Sequence, residues 1–226
     1  MVQLTRSGPV ISPAVRHLDR LRTQFDGEHC IRLPGFIDAE LLRFIQKQIE
    51  HARFDICVHE NIGAELTPAE DVTLSLLLFL SNDPKLFEVI RQVTRCGRIG
   101  CFTGRVYRMA PGAGHYDSWH SDAAEHRLIG MSVNLGSHSY DGGIFRLREA
   151  SSKKLLCEVA NTGPGDAIVF RIARHLQHCV TTVEGTQPKT AFAGWFKSEP
   201  EFLSLLTRTE TAGEESLHTG GSGSVE

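Results

Sequence analysis

The feature that most constrains this chain is a change of rhythm near Ile99. Before it, apolar residues recur at helical spacing. After it, short runs are punctuated by Gly and Pro: Pro111-Gly112, Gly142-Gly143, Gly163-Pro164-Gly165, and Gly185 with Pro188. The runs at 99–109, 128–136, 143–149, 154–160, 166–171, 177–183 and 190–197 read as strands. Helices followed by many short strands predict an α+β chain whose second part is a β-sandwich or barrel.

The helical part is readable in places. His29 to Leu33 alternates and ends at Pro34-Gly35, a strand and a turn. Asp38 is placed to cap a helix, with Ile37 stapling onto Leu42 and Leu41, Leu42, Ile45, Ile49 and Ala52 forming its stripe. Thr67-Pro68-Ala69-Glu70 has the form of a capping box opening a helix that runs to about Leu80. Asp83-Pro84 starts another, with Leu86, Phe87, Ile90 and Val93 inward and Gly97 as the stop. The segment 54–66 reads as loop, and residues 1–24 as loosely ordered. Residues 209–226, ending near Gly-Gly-Ser-Gly-Ser, read as a flexible tail. Between them, 25–208 is one domain, with its β core at about 99–198.

Within the strand half, His120-Ser121-Asp122 has the spacing that puts an imidazole and a carboxylate on one face of an extended segment. With His178 from a later strand, the trio forms the 2-His-1-carboxylate face suited to non-haem Fe(II), with positions left open on the metal. His175 competes for the distal place; the odd spacing from 175 to 178 sends the two to opposite faces of a strand, so only one of them can serve. On 128–136, Ile129, Met131, Val133 and Leu135 share one face while Gly130, Ser132 and Asn134 share the other. The second face suits either a ligand-lined cavity or solvent.

The formal net charge of -3 argues against nucleic acid or an anionic membrane as a general partner. Arg91, Arg95, Arg98, Arg105 and Arg108 form a local basic run, which reads either as solvated faces or as attraction for an anionic ligand. Six cysteines, none in C-x-x-C spacing, indicate neither a zinc ribbon nor a redox motif. Free thiols in a reducing cytoplasm are the expectation. No apolar run reaches the ~18 residues of a membrane span, and the N-terminus lacks an apolar signal core.

Together, Val106-Tyr107-Arg108-Met109-Ala110-Pro111-Gly112, Trp119-His120-Ser121-Asp122, Gly142 to Leu147, Gly165 to Phe170, His178 to Gly185, Lys189 and Gly194-Trp195-Phe196 resemble the prolyl-4-hydroxylase-like Fe(II)/2-oxoglutarate-dependent oxygenases. Leu33 to Asp38 and the helix after it are similar to that family's lead-in. The resemblance implies a double-stranded β-helix (jelly-roll) core with an N-terminal helical layer packed on it. It implies Fe(II) on His120, Asp122 and His178, and 2-oxoglutarate with its distal carboxylate on Lys189. Tyr107, Arg105, Asn134 and Thr190 are further candidates to hold the co-substrate; His115, Trp119 and Ser132, with Asp117 behind them, are candidates for substrate contact. The family often has Arg where Lys189 stands and Ser where Ala191 stands, and a Tyr where Ala110 precedes Pro111-Gly112.

The implied reaction consumes O₂, optionally with ascorbate in support, releases succinate and CO₂, and hydroxylates a C–H bond. Halogenating relatives carry a small residue where Asp122 stands, so the carboxylate favours hydroxylation or desaturation. A small molecule or amino-acid-like substrate is the expectation, with a peptidyl residue as runner-up. A cupin-like metalloenzyme would leave Lys189 without a role, and a non-catalytic binding module would not need His120, Asp122 and His178 together.

Overall fold

The computed structural model describes residues 2–12, 15–59, 62–69, 72–124, 126–160 and 162–199. The expected flexible tail at 209–226 lies outside the described residues. In chain order the first part comprises β1 (Val2–Thr5), β2 (Gly8–Ile11), α1 (Val15–Glu28), β3 (Cys30–Leu33), α2 (Ala39–His51), β4 (Phe54–His59), β5 (Gly63–Pro68), α3 (Val72–Ser81) and α4 (Pro84–Thr94). The second part comprises β6 (Cys101–Met109), β7 (Tyr116–His120), β8 (Arg127–Asn134), β9 (Asp141–Gly142) and β10 (Phe145–Glu149). It continues with β11 (Leu155–Val159), β12 (Ala167–Arg171), β13 (Leu176–Val180), β14 (Val183–Glu184) and β15 (Lys189–Lys197).

The N-terminal segment departs from the loose order expected of it. β1 and β2 form a hairpin, and α1 is a 14-residue helix. The backbone explains the hairpin's place: Leu4 N–H donates to Phe36 O, and Asp38 N–H donates to Leu4 O. Val2 and Leu4 point inward and are buried. Leu18, Leu21 and Phe25 of α1 join the same apolar cluster at spacings of three and four. The segment 54–66 is likewise no loop: β4 and β5 pair in register from Phe54↔Pro68 to His59↔Gly63. Thr67 and Pro68 therefore end a strand and do not cap a helix; Glu70 lies outside the described residues, and α3 begins at Val72.

Two helices begin where their caps predict. Asp38 Oδ1 accepts from the N–H groups of Glu40 and Leu41, and Asp83 Oδ1 accepts from that of Lys85 with Pro84 beside it. α4 stops three residues before Gly97, because Arg95 takes the left-handed conformation (φ 53°) and donates its N–H to Arg91 O.

One antiparallel sheet organises the rest, in the order β11-β10-β13-β7-β5-β6-β15-β8-β12-β3, with β4 attached to β5. It bends into a nearly closed, barrel-like core of jelly-roll type. Phe145 of β10 and Phe170 of β12 meet across the interior with ring centroids 4.7 Å apart. Alternation along the strands sorts two clusters. Phe102, Val106, Ile129, Met131, Val133, Phe192 and Phe196 pack with Leu41, Ile45, Leu77, Leu86 and Ile90 of the helices. Tyr107, Met109, Phe145, Leu147, Ile168, Phe170 and Ala191 fill the interior instead. At the centre β6 and β15 run so close that a Cβ at Gly194 would lie 2.0 Å from Thr103 O, which only glycine tolerates.

Candidate functional site

The site sits where β7 and β13 are neighbours. Their register sets His120 directly opposite His178, and the two rings lie 4.3 Å apart. His120 closes β7, so Asp122 is not on the strand: it lies in the turn beyond it and is brought back by side chains. Trp195 Nε1 donates to Asp122 Oδ2 at 2.6 Å, and Arg127 Nη1 donates to Oδ1 at 3.1 Å. The Arg127 guanidinium also lies over the Trp195 ring at 3.7 Å, so the two donors brace each other.

Hydrogen bonding fixes which nitrogens are free. His120 Nδ1 donates to Ser118 O at 2.7 Å, which leaves the Nε2 lone pair for a ligand. That Nε2 is 3.7 Å from Asp122 Oδ1, and His178 Nε2 is 3.5 Å from Asp122 Oδ2. Burial pulls the His178 pKa down to about 4, aided by neighbouring His120 and opposed by Asp122. Neutral imidazoles beside a carboxylate are the state a divalent metal requires. Phe170 and Phe145 flank His178 at 4.8 and 5.9 Å.

A second carboxylate stands close by. Asp117, His120 and His178 each offer a ligand atom within 4.8 Å of the others. Asp117 Oδ1 is 3.3 Å from His120 Nδ1, on the side already engaged by Ser118 O, whereas Asp122 faces the Nε2 atoms of both histidines. A metal held through the two Nε2 atoms therefore selects Asp122, with Asp117 behind His120 as its orienting partner. Burial pushes the Asp117 carboxyl up to about 6, against the pull of His120 and Arg105.

The cavity beside this cluster measures about 210 Å³. Lys189, 5 % exposed, donates from Nζ to Gly143 O at 2.7 Å and lies 5.7 Å from the Tyr140 ring centre. No carboxylate of the described residues forms an ion pair with it, and burial draws its pKa down to about 8 against the more distant pull of Asp117. Tyr107 lies one inward position away, its hydroxyl held well above the usual range by burial. Arg105 forks onto Glu65, which also meets His59 Nε2 at 3.1 Å, so the β4–β5 hairpin is pinned to the cavity wall. Ile62 and Tyr116, partly exposed, form the rim.

Residues 104–197 match the family model of the 2OG-Fe(II) oxygenase superfamily. Over those residues the chain is similar to the 2OG-Fe(II) oxygenases. Similar solved structures include a Pseudomonas putida prolyl-4-hydroxylase, at 19% identity and TM-score 0.59, covering 80% of this chain and 98% of that one. A Trichoplax adhaerens prolyl hydroxylase in complex with a hypoxia inducible factor oxygen degradation domain peptide fragment has 14% identity and TM-score 0.58, covering 84% and 92%. The non-haem alpha ketoglutarate dependent epimerase SnoN from nogalamycin biosynthesis has 12% identity and TM-score 0.58, covering 93% of both chains. No curated protein matches this chain.

The cavity gathers His120, Asp122, His178, Lys189, Tyr107, Arg105 and Ser132. Four other candidates fall elsewhere. Asn134 is occupied in joining loops, donating to Thr162 O and accepting from Gly136 N–H. Thr190 follows Lys189 on the strand and so faces the other way, where its Oγ1 accepts from Arg108. His115 Nδ1 accepts from Ala110 N–H and staples the Pro111-Gly112 turn. Trp119 alternates away from His120 and lies under Arg148 at 3.9 Å. His175 is exposed in the turn before β13. The arginine run disperses: Arg91 pairs with Glu88, Arg95 with Asp26 and Arg105 with Glu65, and Arg108 lies over Phe54.

Sequence reasoning missed Glu65, the Arg127–Trp195 brace and the orienting place of Asp117. The signal for Asp117 was present in its spacing, three residues before His120 on the same chain segment.

Proposed function

We propose that the protein is an Fe(II)- and 2-oxoglutarate-dependent dioxygenase that hydroxylates an unactivated C–H bond of a small, amino-acid-like substrate, releasing succinate and CO₂. The observation that supports this best is Lys189. A buried ammonium without an anionic partner is costly, and a carboxylate seated beside it in the cavity would supply that partner. The donor set fits iron as well: His178 held neutral by burial, His120 with its Nε2 lone pair left open by the bond from Nδ1, and one preoriented carboxylate. His120, Asp122 and His178 would hold the metal, and Lys189 with Tyr107 the far carboxylate of 2-oxoglutarate. When bound, iron and co-substrate supply O₂ activation through oxidative decarboxylation.

The chain's own part is positional. The Trp195–Arg127 brace keeps Asp122 aimed at the histidines, Phe145 and Phe170 keep water from the His178 side, and Ser132 presents a hydroxyl toward the bound ligands. The β4–β5 hairpin and Tyr116 line the entrance for substrate. The confined volume favours a small substrate. A peptidyl substrate is the second reading, supported by the exposed Ile56 and Val58 on β4 beside that entrance and by the peptide-bound relative.

The test is anaerobic addition of Fe(II) and then 2-oxoglutarate to metal-free protein, following the weak visible charge-transfer band of the chelate. A band in wild type and in His175→Ala, lost in His120→Ala and His178→Ala, is expected. Wild type that binds iron without developing the band would sink the co-substrate assignment. Succinate release then screens free amino acids against short peptides.

A further inference from the structure

The sheet that forms the core has two end strands, β3 and β11, and the bend of the sheet brings its two ends toward each other. Each end strand contributes one cysteine to the interior cluster: Cys30 lies in register with Phe170, and Cys157 with Leu147. The neighbouring strands already touch through Phe145 and Phe170. Cys157 packs against the same interior cluster in which Cys30 is buried, and each thiol bears on the acidity of the other. Cys30 is 1 % exposed, while Cys157 is half-buried and open to a small reagent.

We propose that Cys30 and Cys157 are a modification site: a dithiol that closes to a disulfide when a hydroperoxide reaches Cys157, tying together the two end strands of the sheet. The Cys157 sulfur, deprotonated, attacks the peroxide oxygen. The O–O bond breaks, hydroxide leaves as water after protonation, and Cys157 becomes a sulfenic acid. Cys30 then gives up its proton and attacks the Cys157 sulfur, the S–O bond breaks and a second water departs. Two thiols and one hydrogen peroxide thus become one disulfide and two waters.

The local electrostatics agree with this order. Cys30 lowers the Cys157 pKa, while Cys30 itself is raised well above its ordinary value, first by Cys157 and then by burial. The outer thiol is the nucleophile and the inner one resolves. The link would also act on the oxygenase site, because Phe170, opposite Cys30, packs against His178.

The experiment treats the full chain, without added iron, with stoichiometric hydrogen peroxide, then alkylates, digests and maps it by mass spectrometry. The expected product is a peptide pair joined at Cys30 and Cys157, lighter by two hydrogens and absent from Cys157→Ser. Thiol titration in denaturant should fall from the six of the sequence to four, and return to six after reduction. The oxidised form should melt higher than the reduced form, since the link closes a long loop. Six thiols persisting in folded, treated protein would overturn the proposal. So would a link between another pair, or Cys157 over-oxidised with Cys30 still free. Cys30→Ser separates the steps: Cys157 should then stop at a dimedone-reactive sulfenic acid, and a lack of that adduct would remove Cys157 as the entry point.

Discussion

Replacing Lys189 with Met should make the ligand-free protein more stable while abolishing 2-oxoglutarate binding. Burial draws the Lys189 pKa from 10.5 to about 8, with Asp117 opposing. The folded pKa lies below the unfolded one, so between those values the unfolded chain binds more protons and stability rises with pH. The cost of burying the ammonium is therefore complete below pH 8 and disappears as pH passes 10.5. A shift of this size corresponds to about 3 kcal/mol. Met fills the same stem volume but leaves Gly143 O without its donor, a loss of about 1 kcal/mol. The net gain is roughly 2 kcal/mol, or about 4–8 °C in melting temperature for a chain of this size. Calorimetry of wild type and Lys189→Met without ligand, at pH 7 and near pH 10, measures it. The gain should appear at pH 7 and vanish at the higher pH. Adding iron and 2-oxoglutarate should raise the melting temperature of wild type further than that of the variant. A variant that melts lower at pH 7, or whose advantage does not change with pH, would refute the reasoning that the cation stands uncompensated.

Three further outcomes follow from the same geometry. Trp195→Phe removes the donor to Asp122 Oδ2 and should weaken divalent-metal affinity roughly 10- to 100-fold, read by equilibrium titration, with little change in melting. Glu65→Gln takes the counter-charge from half-buried Arg105 and should cost about 3 kcal/mol in a denaturant melt. Gly130→Ala places a Cβ 2.2 Å from Phe170 Cζ and should cost about 2 kcal/mol while disturbing His178. Adding Phe170→Leu should recover part of both losses; no recovery would mean that the strain lies in the β8 backbone instead.

What was legible in the sequence follows from how local each cause is. The strands from β6 onward are bounded by Gly and Pro turns, and α2 and α4 by aspartate caps, so neighbours in sequence suffice to define them. The β1–β2 hairpin was not legible, because its four-residue strands owe their order to Phe36 and Asp38, some thirty residues away. Thr67-Pro68 misled for the same reason: pairing with β4 overrode a local helix-start pattern. In the site, the resemblance named Lys189 and Tyr107, and strand alternation turns both toward the cavity. The same alternation turns Thr190 outward, although it had been a candidate to hold the co-substrate. Asn134 shares a strand face with Ser132, but at the strand's end its amide is consumed by loop carbonyl and amide groups. The Trp195–Asp122 bond spans 73 residues, a separation at which no spacing rule applies.

The distribution of unfavourable burial points to the same place as these geometries. His178 with its pKa near 4, Asp117 near 6 and Lys189 near 8 are each shifted by desolvation toward the neutral form. They come from three strands, β13, β7 and β15, yet line one cavity. A fold selected for stability alone would have apolar residues at such positions, as it does at neighbouring Ile168, Phe170 and Val180. Asp166 shows how this chain treats a buried carboxylate that serves only structure: its oxygens accept from Arg32, Gly35 N–H and Gly163 N–H. Lys189 has no comparable partner for its charge. The difference between Asp166, satisfied from within the chain, and Lys189, left for a ligand to satisfy, is the physical argument that the cavity is a binding site and not a flaw in the core.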